Sequence, residues 1–135
     1  MTTSTNYITR WKIQLSSGEK KMQLVALLEI LDMFEHLTEE NRDRVCYAMI
    51  NADICSFFNQ TILYNDQIFF KLVNKIILIL SETDKFFEHQ FFPIIKSYLR
   101  VIGSLPRNGN LDNPYTRDIF NVATLLIKRL VEFSP

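Results

Sequence analysis

An all-α fold of six or seven helices is the fold class predicted for this chain of 135 residues. Three observations lead there. The chain holds only 3 Gly and 4 Pro, whereas an all-β domain needs a turn signal about every 8–12 residues. Apolar residues make up 47% and aromatics 13%, which is the composition of a core-rich globular domain. The longest apolar run, IFFKLVNKIILIL over 68–80, carries helical and not strand patterning.

That run is too short to span a bilayer, which needs about 20 residues, and Lys71, Asn74 and Lys75 interrupt it. Apolar and polar residues do not alternate along it, so it does not fit a strand. At about 100° per residue, Lys71, Asn74, Lys75 and Glu82 fall in one stripe about 100° wide. The rest of the circumference is Ile, Leu, Val and Phe. A helix this apolar must touch neighbours on several sides. It is expected to be central.

The remaining elements follow in order. Residues 1–17, with Tyr7, Ile8, Trp11, Ile13 and Leu15, form an N-terminal segment that is either a capping helix or a tail folding on contact. Residues 18–135 form a single helical-repeat domain. Over 19–36, Leu24, Leu27, Leu28, Ile30, Leu31 and Phe34 face inward, while Glu29, Asp32 and His36 face outward. Thr38 caps the next helix, with Glu39 and Glu40 in its first turn, where the helix dipole favours acids. That helix runs to about Asn51, a shorter one covers 52–64, and Asn65 or Asp66 opens the central helix. Ser81 to Asp84 makes a break. A short segment through Phe87 leads to Pro93, a first-turn residue of a helix that reaches Ile102 and stops at Gly103. SLPRNGNLDNP is the one long loop, and Asn113-Pro114 starts the last helix.

Composition also excludes classes of function. With 15 basic and 15 acidic residues the net charge is zero, so there is no general pull toward nucleic acid or anionic lipid. MTTSTNYITRWK lacks the apolar core of a signal peptide. An intracellular protein, cytoplasmic or nuclear, is expected, with Cys46 and Cys55 reduced. The helical register running almost to the last residue is taken as the mark of one part of a larger protein or complex. His36 and His89 lack H-E-x-x-H spacing, the cysteines form no C-x-x-C pair, and Gly18, Gly103 and Gly109 stand alone. No catalytic residue, metal site or cofactor is expected, and the chain is taken as a non-enzyme.

Four Phe-Phe pairs stand at 57–58, 69–70, 86–87 and 91–92. Core packing is the default for each. Phe86, Phe87, Phe91 and Phe92 flank the helix break, which makes them the candidates for an exposed apolar contact with a partner or a second copy.

Sliding the chain by 46 residues aligns three helices. Leu27, Val73 and Ile119 coincide, as do Ile30, Ile76 and Val122, then Met33, Ile79 and Leu125, then Phe34, Leu80 and Leu126. The polar columns Glu29, Lys75, Asn121 and His36, Glu82, Lys128 agree too. A period of about 40–47 residues is that of HEAT and armadillo repeats. NADICSFFNQTILYNDQIFFKLVNKIILILSE, residues 51–82, runs short helix, turn, long apolar helix, and resembles an armadillo repeat. The resemblance covers about residues 19–133 and implies a right-handed α-solenoid-like stack of helical hairpins. In that family the third helix of each unit lines a groove and offers Asn and charged residues to an extended peptide. Asn74, flanked by Lys71 and Lys75, matches such a position, and Asn121 is a similar candidate one unit on. A HEAT-like or unrelated helical bundle satisfies the same pattern.

The expected function is a non-enzymatic adaptor or scaffold domain that binds another protein or a peptide segment through Lys71, Asn74, Lys75, Arg117, Asn121 and Lys128. The alternative is a self-associating module, a homodimer through its terminal helices. A nucleic-acid-binding helical domain is the distant third, because the aromatics fit the core and are not interleaved with Lys and Arg. No membrane partner is expected.

Overall fold

The computed structural model describes residues 3–58, 67–104 and 114–133, with side chains over 7–58, 68–103 and 117–133. Every regular element among them is helical: α1 (Thr3–Ser16), α2 (Lys20–His36), α3 (Glu39–Asn51), α4 (helical at 55–58), α5 (Gln67–Leu80), α6 (Asp84–His89), α7 (Phe91–Ser104) and α8 (Pro114–Phe133). Eight helical segments therefore stand where six or seven were expected. Asn65, Asp66, Asn113 and most of the SLPRNGNLDNP loop lie outside the described residues.

One added helix is α1. Ile8, Trp11 and Leu15 recur at helical spacing and are all buried, and α1 packs on both α2 and α3. Trp11 is fully buried and its indole donates to Glu29 of α2 at 3.1 Å. Arg10 pairs with the same carboxylate. Glu29, expected to face outward, is thus only half-exposed. Residues 8–15 share the core of the domain and do not hang from it as a tail.

The α2–α3 turn follows the sequence closely. Thr38 Oγ1 accepts from the Asn41 amide at 3.4 Å, with Glu39 and Glu40 in the first turn. The end of α3 is less obvious. Asp53 takes φ 60° and closes a Schellman motif, in which Ile54 N donates to Met49 O and Asp53 N to Ile50 O. Glycine usually fills this left-handed position. Here the Asp53 carboxylate accepts from Ser56 Oγ at 2.7 Å, a local bond of the kind that lets Asp tolerate it.

Five of the fourteen residues of α5 are Ile or Val. Such residues are mediocre helix formers, so burial and not propensity makes this helix. Phe70, Val73, Ile76, Ile77 and Leu80 are at most 1% exposed, and each such burial is worth about 1.5–3 kcal/mol. α5 packs against α2 and α8, which confirms its central place. Its last carbonyls are satisfied from outside the helix ladder: Ser81 Oγ and Arg129 Nη1 both donate to Leu78 O, at 2.8 and 2.7 Å, and Thr83 Oγ1 donates to Leu80 O.

The 46-residue register is mirrored in burial. Leu27, Val73 and Ile119 are all fully buried, the Ile30 and Phe34 columns are buried throughout, and Met33, Ile79 and Leu125 are all half-buried. Leu28, expected inward, is 51% exposed.

The other added helix is α6, separated from α7 by a turn at Gln90. Here the aromatic pairs correct an expectation. Phe86, Phe87 and Phe91 are buried and offer no exposed contact. Phe87 sits 5.3 Å from Phe86, 5.6 Å from Phe91 and 5.3 Å from Phe133, ring centre to ring centre. This cluster ties α6, α7 and α8 together, because a helix break needs large side chains to hold its two arms. Phe92 alone of the four faces out, at 70% exposure.

Candidate functional site

The exposed side of α5 is as narrow as its sequence implies. Lys71, Lys75 and Glu82 just beyond the helix are exposed, and Ile68 joins them at 66%. α8, packed beside α5, exposes Arg117, Asn121 and Lys128. In the common register Lys71 corresponds to Arg117 and Lys75 to Asn121. Neighbouring helices therefore present Lys71, Lys75, Arg117, Asn121 and Lys128 at matching positions of their outer faces.

Asn74 does not join them. It is 5% exposed, and its Oδ1 accepts from the hydroxyl of Tyr98, itself fully buried on α7. The reason is angular: Asn74 stands at the edge of the polar stripe, about 40° from Phe70 and about 60° from Ile77, both buried, and on a flank that α7 reaches. Its amide is a structural crosslink between α5 and α7 and not a groove contact.

A cleft that the sequence did not indicate opens beside Lys75. It lies between α2, α3 and α5, with a volume of about 300 Å³. Leu31, Phe34, Leu78 and Ile79 give it apolar walls, and Glu35, Arg42 and Lys75 supply charge at the same place. Arg42 reaches toward Glu82 at 4.0 Å, while its Nε is buried without a hydrogen-bond partner. An aliphatic or aromatic side chain fits such walls, and the two cations suit an acid next to it.

Other reactive groups are spent on structure. Cys46 and Cys55 are buried, and burial pushes both thiols up to about 12. A neutral, inaccessible thiol is a poor nucleophile and metal ligand. His36 is raised above its ordinary value by its contact with the Asp32 carbonyl, 2.8 Å away, and by the Asp32 charge, a local arrangement on an exposed turn. Among the described residues no group of three or more His, Cys, Asp or Glu side chains could hold a metal. None of the described helices is long and apolar enough to cross a membrane. Comparison with protein-family models, with curated proteins and with solved structures finds no match for this chain.

Proposed function

We propose that this chain is a non-enzymatic protein-interaction module of armadillo- or HEAT-like build, which lays a partner segment along the exposed faces of α5 and α8. The observation that carries the reading is the cleft beside Lys75, an apolar socket opening next to a row of exposed Lys, Arg and Asn side chains. A socket fixes one anchor side chain, and the row sets the direction of an acidic segment running from it. The stacked build is supported by α5 packing against both α2 and α8, and by the shared burial columns of these three helices.

The test compares the wild-type chain with Lys71→Glu/Lys75→Glu in a pull-down from native extract, read by mass spectrometry. Equal helicity by circular dichroism is the control. Both side chains are exposed, so the fold is expected to tolerate the change. A partner lost only from the double variant supports the reading. The same partners on both chains would remove the α5 row as the binding surface.

A further inference from the structure

One side of α5 receives the helices that follow it. Asn74 accepts from Tyr98 of α7, and Arg129 of α8 donates both to the Leu78 carbonyl and to Ser81 Oγ. Shifted by the 46 residues that bring α5 onto α8, these three positions become Phe120, Thr124 and Ile127. All three are exposed, Phe120 at 39% and Ile127 at 44%, and Val131 continues the row at 68%. On the side by which α5 takes its neighbours, α8 thus carries an apolar row that none of the described elements covers. From Phe120 to Val131 the row is about 16 Å long, the reach of three turns of a second helix.

Charge selects the occupant. α7 packs against α8 and contains Lys96 and Arg100 but no acid. α8 exposes Arg117 and Lys128 beside the row, against Glu132 as its one exposed acid among the described residues. Six of the 15 acids lie on α2 and α3, at Glu29, Asp32, Glu35, Glu39, Glu40 and Asp43. Two copies joined α8 to α8 would set a net-positive face against itself, with Glu132 to answer only one of the two exposed cations of each copy. A helix with acidic flanks meets the opposite charge of Arg117 and Lys128 beside an apolar centre.

We propose that the outer edge of α8 docks an amphipathic helix of another protein, acidic on its flanks, whose aliphatic side chains seat on Phe120, Ile127 and Val131. This edge borders the row that holds Arg117 and Lys128 but is separate from the cleft at Lys75, so Lys71→Glu/Lys75→Glu and Ile127→Glu/Val131→Glu test the two surfaces apart.

The probe is a synthetic helical peptide of about 18 residues, five turns, with Leu along one face and Glu elsewhere, alongside a version with Lys in place of Glu. Fluorescence anisotropy with the whole chain should show saturable binding of the acidic peptide, weakening as salt rises, and none of the basic one. Ile127→Glu/Val131→Glu should reduce that affinity about tenfold or more, which is about 1.4 kcal/mol. Lys71→Glu/Lys75→Glu should change it much less. Both edge residues are exposed, and Val131→Glu alone, at the more exposed of the two positions, serves if the double variant loses helicity. Four results would overturn the proposal. One is undiminished binding by a folded edge variant, and another is equal binding of the two peptides. The third is sedimentation with phosphatidylserine vesicles in place of peptide binding. The last is a concentration-dependent dimer, seen by light scattering, that the edge variant dissolves.

Discussion

Trp11 gives the sharpest test of how α1 belongs to this fold, because it is the one tryptophan of the chain and is fully buried. Trp11→Ala removes the ring from the contact of α1 with α2 and α3, together with the indole bond to Glu29. Truncating a buried aromatic of this size costs about 3–5 kcal/mol, cavity included. With a urea dependence of about 1.5 kcal/mol per molar, the unfolding midpoint should fall by about 2–3 M. Circular dichroism measures this without the indole. If Trp11→Ala is too unstable to titrate, Trp11→Phe keeps a ring but loses part of the indole's volume and its N–H, at about 1–3 kcal/mol, with Glu29 still paired to Arg10. Wild-type fluorescence supplies the complement. Its transition should coincide with that seen by circular dichroism, since a helix sharing the core unfolds with it. An indole signal that shifts at lower urea than the helicity, or a Trp11→Ala midpoint moved by less than about 0.5 M, would mean that α1 undocks by itself and that the shared core is misassigned.

Two further outcomes follow from the interior. Tyr98→Phe should cost about 1–3 kcal/mol in urea unfolding, because Asn74 Oδ1 stays buried without its donor; a cost under about 0.5 kcal/mol would refute the crosslink. Cys46 and Cys55 should resist alkylation in the folded chain at pH 8 and react once urea exposes them. Their folded-state values, up to about 12, lie above the ordinary 9.0, so the neutral thiols favour the fold fully below about pH 9. That contribution is lost as pH climbs from 9 toward 12, and stability should decline over that window. Alkylation at equal rates with and without urea would contradict the burial.

Most of the helices, and which of them is central, were legible in the residues, α1 and α6 being the additions. IFFKLVNKIILIL could be soluble only with its sides covered, and Thr38 before two glutamates needs no tertiary partner to cap α3. Periodicity depends on each residue's own hydrophobicity and on a fixed angle per residue, so one chain suffices to read it. The same arithmetic located Lys71, Lys75, Arg117, Asn121 and Lys128 on outer faces. It failed for Asn74 because a hydrophobicity scale treats Asn as a solvent-facing residue. Whether a buried amide is tolerated depends on a donor 24 residues away in the chain, Tyr98. For the Phe pairs core packing was the default, and the exposed alternative at the helix break holds for Phe92 alone: a break exposes aromatics or clusters them, and the position of Phe133 decided which. The cleft at Lys75 belongs to three helices at once, so no stretch of sequence contains it. Local patterning sets what each segment must bury, but only the packing of distant segments determines where polar groups find partners and where an apolar face is left uncovered.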